Sequence, residues 1–215
     1  IFYIWNGKHP RLRKAFLQRS KQAGGMALPN FQYYYWAVNI GCLLFWRHFH
    51  LEPTSPAWVT MEVCASNPVS LPALLGAALP LASDIPKSNP VVKHSLLIWG
   101  QFRKSFGLQL FSLKSPIAAN HLFAPSMADG AFNIWHRKGL RCFEDLYIDN
   151  CFASFSQLTE IFGIAKTHFF RFLQIRTFIQ RLTTQFPYKP PVTPVDIFLS
   201  VNPTSKGILS NLYNL

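Results

Sequence analysis

Aromatic side chains are the feature that most constrains how this chain can fold. Its 215 residues include 20 Phe, 7 Tyr and 6 Trp, whereas only 14% carry a charge, against roughly 25% in an average soluble domain. So much aromatic surface would not stay solvated in an open chain. The sequence therefore excludes intrinsic disorder for most of the chain and predicts a packed core rich in aromatic rings.

Helix signals alternate with proline-rich stretches along the chain. Five segments carry the spacing and capping residues of helices, and they span about 10–21, 31–49, 91–106, 154–162 and 167–182. Asn30 can cap the second of these helices, and Gly107 can end the third. Proline-rich stretches at 52–90, with short helical pieces between the prolines, and at 187–203 interrupt the pattern. The predicted fold class is mainly α-helical with a few short strands, an irregular multi-helix fragment with Pro-rich connections.

Positive charge is concentrated near the start of the chain. The formal net charge is +12, and residues 1–51 contain no acid. Six basic residues fall within fourteen positions, and they are Lys8, Arg11, Arg13, Lys14, Arg19 and Lys21. On one helix over 10–21, Arg11, Lys14 and Lys21 would share a face while Leu12 and Phe16 stack as an apolar anchor. This pattern favours a phosphate backbone as ligand, although basic surfaces also bind anionic membranes and acidic proteins.

Aromatic residues and further arginines accompany this basic segment. Trp5 and the run Tyr33–Trp36 are candidates for stacking on bases, although aromatic residues more often belong to a core. In the helix predicted over 167–182, arginines recur every five positions, at 171, 176 and 181. This spacing rotates each arginine by about 140° from the last. We therefore expect these arginines to lie along aromatic neighbours or reach surface partners, not to follow one phosphate backbone, with a nucleic-acid contact by one of them as the alternative.

No motif for catalysis, a metal or a cofactor appears in the sequence. Magnesium-dependent phosphoryl transfer commonly uses adjacent aspartates, and the chain has none. Its only acidic cluster, Glu144, Asp145 and Asp149, is interpreted as a solvated helix end or as partners for Arg137 and Arg141. The sequence also lacks a Gly-x-Ser-x-Gly elbow and a Gly-x-x-x-x-Gly-Lys phosphate loop. We predict no catalytic residue, metal or cofactor.

The cysteines and the longest apolar run indicate where the protein resides. Cys42, Cys64, Cys142 and Cys151 form no Cys-x-x-Cys pair, and we interpret them as core cysteines in a reducing compartment. The apolar run over 33–46 has 14 residues, fewer than the roughly 20 that span a bilayer. The sequence therefore predicts a buried helix there and no membrane partner. It leaves the compartment open, with an intracellular location in the nucleus or cytoplasm expected if the chain is expressed.

An ordered series of short motifs resembles one known family. Its members in this chain are Phe2–Lys8, Pro10–Arg11, Gly24–Asn30, Tyr34–Ala37, Asn89–Pro90, Ile98–Trp99, Ser115–Ile117, Pro125–Ser126, Phe132 with Trp135, Lys138–Gly139, Asp145–Leu146, Ser154–Leu158, Phe169–Arg176 and Lys206–Ser210. Together they are similar to the second-frame polyprotein of non-LTR retrotransposons of the long interspersed type. The similarity covers nearly the whole chain and falls just downstream of the reverse transcriptase core, in the thumb and wrist.

The resemblance implies a function and a division of the chain. Residues 1–51 would be a basic thumb-like segment with an aromatic helix, 52–90 a Pro-rich connector, 91–186 a helical wrist-like region, and 187–215 a Pro-rich tail with a truncated helix. The chain would be a fragment without catalysis of its own, from an RNA-directed DNA polymerase. It would help to hold template-primer RNA or DNA, with the upstream polymerase domain as a second partner.

Two alternatives to this function stay open at the level of sequence. The chain can be a standalone basic module that binds nucleic acid for another purpose. It can also be an inert translated remnant that does not fold alone. For the reverse transcriptase fragment and for the standalone module, the six basic residues at 8–21 are the candidate nucleic-acid-binding residues.

Overall fold

A computed structural model describes residues 12–79, 89–207 and 210 of the chain. In these residues it contains ten α-helices, namely α1 (Lys14–Gln18), α2 (Phe31–His48), α3 (Ala57–Ala65), α4 (Leu71–Gly76), α5 (Pro90–Ser105), α6 (Pro125–Ala128), α7 (Ala131–Arg137), α8 (Phe155–Phe162), α9 (Phe169–Leu182) and α10 (Pro194–Leu199). Three short 3-10 helices span Lys21–Ala23, Phe143–Leu146 and Lys166–His168. One antiparallel pair of strands, β1 (Tyr147–Ile148) and β2 (Cys151–Phe152), places Tyr147 opposite Phe152. The predicted mainly helical fold class is confirmed.

Side-chain caps explain where several helices begin. Asn30 Oδ1 accepts a hydrogen bond from the Gln32 amide at the start of α2, and Asn89 does the same for Val91 at the start of α5. Ser154 and Gln157 form a reciprocal capping box at α8. Such caps satisfy amides that have no partner inside the helix. The helices predicted from about 31, 91, 154 and 167 are confirmed to within three residues at each end.

The first of two hydrophobic cores packs α2 against α4 and α5, and α10 also contributes to it. Trp99 stacks on Phe102 with ring centroids 5.6 Å apart, and Phe198 of α10 lies 5.4 Å from Phe102. Trp36 of α2 meets the edge of the same Phe102 ring. Aromatic residues from three helices therefore fill this core, as the composition predicts.

Two helices of this core lie within the Pro-rich stretches at 52–90 and 187–203. All six residues of α4, inside the predicted 52–90 connector, are buried. In α10, inside the predicted tail, Val195, Phe198 and Leu199 are buried. Prolines stand in the first turn of both helices, where a missing amide hydrogen costs nothing. The truncated helix predicted at the end of the chain lies largely outside the described residues.

The longest apolar run lies within α2. The predicted burial is confirmed for one face of this helix only, because Tyr33, Tyr34, Tyr35 and Val38 are exposed. Its inner face comprises Trp36, Ala37, Ile40, Gly41, Leu43, Leu44 and Trp46. Trp46 donates its indole hydrogen to Glu62 of α3 at 2.7 Å. Among the helices of the described residues, none combines the length and apolarity needed to cross a bilayer.

The second core lies under α7, α8 and α9. Phe123, Phe132, Phe143 and Phe178 meet there at ring-centroid distances between 5.1 and 6.1 Å. Trp135 is fully buried among them and donates its indole hydrogen to His168 Nδ1 at 2.8 Å. The inner face of α9 contributes Phe172, Ile175 and Ile179. This helix is therefore buried on one side only, because Phe169 and Phe170 are half-exposed or more.

The expectation of four core cysteines is correct for Cys142 alone. Cys42, Cys64 and Cys151 are exposed free thiols, whereas Cys142 is buried. Burial raises the pKa of the Cys142 thiol to about 12, so this side chain is a protonated packing residue at neutral pH. Composition could not separate these cases, because cysteine is apolar enough for a core and small enough for a surface.

A buried guanidinium joins the segments of the first core. The side chain of Arg103 on α5 is fully buried, and it donates to the carbonyl oxygens of Leu108 (2.9 Å), Ala77 (2.5 Å) and Leu110 (2.8 Å) and more weakly to that of Leu75 (3.4 Å). Burial lowers the pKa of Arg103 to about 10, while the charge of Asp196 acts in the opposite direction. Arg103 is therefore still charged at neutral pH.

Replacing Arg103 with Met tests this role. The variant keeps an apolar stem but leaves the carbonyl groups of Ala77 and Leu108 without their donors. Each buried carbonyl group left unpaired lowers the stability of the fold by about 1–3 kcal/mol. We expect the free energy of unfolding to fall by about 3 kcal/mol, measured by urea denaturation. The matched control is Lys104→Met at the neighbouring exposed position, with a change below about 0.5 kcal/mol. Equal stability of the two variants would contradict the role of Arg103.

Candidate nucleic-acid interface

Four of the six predicted binding residues lie in the described part of the chain. Arg13, Lys14, Arg19 and Lys21 are all exposed to solvent. Lys8 and Arg11 fall outside the described residues, as does Trp5. The described part of the candidate interface therefore consists of these four cations and the backbone that carries them.

The continuous helix predicted over 10–21 is wrong within the described residues. The helix α1 covers only five residues, because Arg19 turns to an extended conformation with φ −60° and ψ 148°. Ser20 then starts a separate 3-10 turn, with its side-chain oxygen accepting from the Ala23 amide at 3.3 Å. Serine favours such a cap over a helix interior because its hydroxyl competes for backbone groups. Lys14 and Lys21 consequently do not share one helix face.

The apolar anchor of this segment also differs from the prediction. Leu12 and Phe16 are about two-fifths exposed, at 40% and 39%, whereas Leu17 is only 7% exposed. Because Leu12 precedes α1, it cannot stack on Phe16 along one helix. Leu17 is therefore the side chain that anchors the segment.

The chain closes on itself after the cations. The amide of Leu28 donates to the Leu17 carbonyl at 2.8 Å, and that of Ala27 donates to the Arg19 carbonyl at the same distance. Gly25 permits this approach, since a Cβ atom there would lie 2.3 Å from the Arg19 carbonyl oxygen. Residues 13–28, hereafter the basic loop, thus form a closed unit with Leu17 inside and four cations outside.

No carboxylate in the described residues lies within salt-bridge distance of these four cations. Eight of the nine acids are in the described part of the chain, and six of them have partners elsewhere. These six are Glu52 with Arg141, Glu62 with Trp46, Asp129 with Arg171, Glu144 with Lys114 and Lys189, Asp145 with two backbone amides, and Asp196 with Ser112 and Thr193. The cations of the basic loop are therefore available to an outside anion.

The predicted acidic cluster separates into different roles. Glu144 binds Lys114 and Lys189 instead of the arginines expected for it. Asp145 accepts hydrogen bonds at 2.8 Å from the amides of Arg141 and Cys142, and Arg141 itself pairs with Glu52. Glu144 and Asp145 thus have structural roles. The partners of Glu144 lie 30 and 45 positions away in the sequence.

The tyrosine and tryptophan run beside the basic loop divides between core and surface. Trp36 is buried in the first core, so it is not a stacking platform. Tyr33 stacks on Trp36 with centroids 5.7 Å apart, and the Tyr35 hydroxyl lies 3.0 Å from His94 Nε2. The three tyrosines are 38–48% exposed, which leaves ring surface beside the basic loop in sequence.

Two of the three arginines of α9 have the kind of partner that their spacing predicts. Arg171 forms an ion pair with Asp129 at 2.5 Å, and the Arg176 guanidinium lies 5.7 Å from the Phe186 ring centroid. Arg181 is exposed on another part of the helix. Two of the three are therefore held by a surface partner or an aromatic neighbour.

Comparisons with protein-family models, with curated proteins and with solved structures found no match. In the described ranges, no group of three His, Cys, Asp or Glu side chains is arranged to hold a metal ion. The family resemblance accordingly stays a prediction that depends on the ordered motifs given above.

Replacing Glu144 with Gln tests whether the carboxylates serve the fold. Burial acts to raise the pKa of Glu144, but hydrogen bonds from Lys114 and Lys189 outweigh it and lower the pKa below the ordinary 4.5. A carboxyl group with a lowered folded pKa stabilises the protein above its unfolded pKa, and this contribution is lost as the pH falls through the folded pKa. We expect Glu144→Gln to lower stability at pH 7 by on the order of 1 kcal/mol.

The difference from wild type should shrink as the pH falls below 4.5, and thermal melts across this range measure it. The control is Glu160→Gln, which changes an exposed carboxylate and should have little effect at either pH. A difference for Glu144→Gln that is the same at pH 7 and in acid would contradict the assigned ion pairs.

Proposed function

We propose that this chain is the thumb-to-wrist part of a non-LTR retrotransposon reverse transcriptase, and that it helps to hold template-primer nucleic acid without catalysing a reaction itself. The observation that carries the proposal is the basic loop, with four exposed cations and no described carboxylate beside them. The motif series that resembles this family supports the choice of parent enzyme.

Electrostatics favour a polyanion as the ligand of the basic loop. The chain carries a formal net charge of +12, and its acids mostly bind internal partners, so the outward field is positive. A closely spaced phosphate backbone gains most from such a surface, because each neutralised phosphate releases a condensed counterion. Contacts of this kind carry no sequence information, which suits a thumb that must accept any template.

A second candidate is a standalone basic module that binds nucleic acid outside a polymerase. It is favoured by the two hydrophobic cores, which bury aromatic residues throughout the described ranges and give the chain what a domain needs to fold alone. A cooperative thermal transition of the purified chain would support this property. A melt without cooperativity would favour the inert remnant and contradict both binding functions.

Binding to duplex DNA at several salt concentrations tests the role of the basic loop. On the wild-type chain, affinity should fall steeply as salt rises, without preference for sequence. Replacing Lys14, Arg19 and Lys21 together with Gln should reduce the log–log slope by about 0.9 for each lost phosphate contact, thus by up to about 2.7. Fluorescence anisotropy of a labelled duplex measures both quantities.

A charge-matched control separates the loop from net charge. Lys104, Arg137 and Lys166 are exposed and lie outside the basic loop, so their combined replacement with Gln removes the same charge. This control should change the slope much less. Equal slopes for the two triple variants would remove the basic loop from the proposal, and primer extension by the chain alone would contradict its non-catalytic role.

A further inference from the structure

An open groove of about 490 Å³ runs between α9 and the loop before α6. Leu122 and Pro125 line it on the loop side, and Phe170, Gln174, Thr177 and Arg181 line it on the helix side. The Phe123 and Phe178 rings, 5.1 Å apart at their centroids, also border it. The groove lies in a different part of the chain from the basic loop, so it is a separate candidate site.

The four helix residues form a single stripe along α9. Their spacing of four, three and four residues places them within about 60° of one another at 100° per residue. In chain order, the stripe presents a phenyl ring, an amide, a hydroxyl and a guanidinium. This order places a flat apolar surface at one end of the groove and a positive charge at the other.

The stripe is available to a ligand. Phe170 is 69% exposed, so its ring face is accessible to a ligand. The Thr177 hydroxyl donates to the Leu173 carbonyl at 2.9 Å, which leaves its oxygen free to accept. Arg181 is exposed and has no ion-pair partner among the described residues.

The two walls of the groove are held in place by polar contacts. Arg171, next to Phe170, binds Asp129 at 2.5 Å, and Asp129 in turn accepts from the Ala131 amide at the start of α7. Asn120 is fully buried and accepts from the Leu122 amide at 2.9 Å, while its own amide group donates to the Pro116 carbonyl at 2.6 Å. A groove built on such contacts is largely formed before a ligand arrives, which reduces the ordering cost of binding.

Charge and shape together select the class of ligand. None of the residues that line the groove is acidic, and the whole chain is strongly positive, which disfavours a second copy of the chain or a basic peptide as occupant. An occupant that offers both a flat ring and a negative charge matches the two ends of the stripe. A single strand of a few unstacked nucleotides offers both features at this separation, because every base has a π face and every linkage has a phosphate.

We propose that this groove binds a single-stranded segment of RNA or DNA, with one unstacked base on Phe170 and a phosphate about two or three linkages away at Arg181, since the two residues are separated by about 16 Å along α9. Gln174, between them on the stripe, is placed to hydrogen-bond the edge of the base. The inference rests on the proposed nucleic-acid function and adds a second contact for the unpaired strand. The basic loop provides charge alone, whereas this groove distinguishes a strand with accessible bases from a closed duplex.

A thermodynamic cycle tests the stacking contact. Binding of a thymidine oligonucleotide of about twelve residues is compared with binding of an abasic oligonucleotide that has the same phosphates, for wild type and for Phe170→Ala. Base–aromatic stacking predicts that Phe170→Ala weakens binding of the thymidine strand by about fivefold to about 150-fold. On the abasic strand the same substitution should change the dissociation constant by less than about twofold. Circular dichroism should show both proteins equally folded, since Phe170 is mostly exposed.

Two control variants isolate the groove. Tyr188→Leu removes a ring that is 64% exposed and does not line the groove, and it should leave both affinities unchanged. Arg181→Gln should reduce the salt slope on both strands by about 0.7, and Lys166→Gln, which removes a charge outside the groove, should reduce it less.

The outcomes separate the two claims. Salt-dependent binding that is unaffected by Phe170→Ala, or affected equally on both strands, overturns the groove and leaves the basic loop standing. Salt-independent binding by the wild-type chain, or none, overturns both. Loss of affinity confined to the thymidine strand supports the groove, and an unchanged slope for Arg181→Gln overturns the phosphate contact at that end.

Discussion

The buried guanidinium of Arg103 is the interaction on which the first core depends. The carbonyl groups that it binds, those of Leu75, Ala77, Leu108 and Leu110, belong to chain segments that no β-sheet joins. Buried carbonyl groups need donors, and five N–H groups in a planar fork supply several at once. Two backbone hydrogen bonds join the same segments, from the Ser112 amide to the Gly76 carbonyl at 2.8 Å and from the Leu79 amide to the Gln109 carbonyl at 3.0 Å. Arg103 adds its donors to these bonds, and together they fix α4 and the 108–110 segment where the rings of α2, α5 and α10 pack.

The distribution of carboxylates links this fold to the proposed function. The chain has few acids, and the described ones mainly pair with internal donors such as Arg171, Lys114 and Thr193. The same contacts that stabilise the cores therefore remove negative charge from the outside. The surface of the described residues is rich in positive charge, at the basic loop, at Arg181 and at other cations such as Lys104 and Lys166, and it carries exposed rings such as Phe170. These are the groups that bind phosphates and unpaired bases.

Local signals in the sequence were sufficient for the long helices, because a cap such as Asn30, Asn89 or Ser154 acts within three residues of its own position. Local signals were insufficient where the same type of residue can either begin or interrupt a helix. Pro194 begins α10 within the stretch predicted as a Pro-rich tail, and Ser20 starts a new turn inside a predicted helix. The groove was not predictable, since α9 and the 122–125 loop meet only through the tertiary fold. The six basic residues were predicted from charge alone, and the arrangement of the four described ones depends on the backbone.

The central claim is that the basic loop contacts nucleic acid directly. At 24.6 kDa, the isotopically labelled chain is suitable for amide chemical-shift mapping during titration with an RNA–DNA hybrid duplex. Direct contact with the basic loop predicts that the largest shift changes occur at the amides of residues 13–28, and that these changes are lost as salt is added. Changes confined to other parts of the surface, with the amides of the basic loop unmoved at saturating duplex, would contradict it.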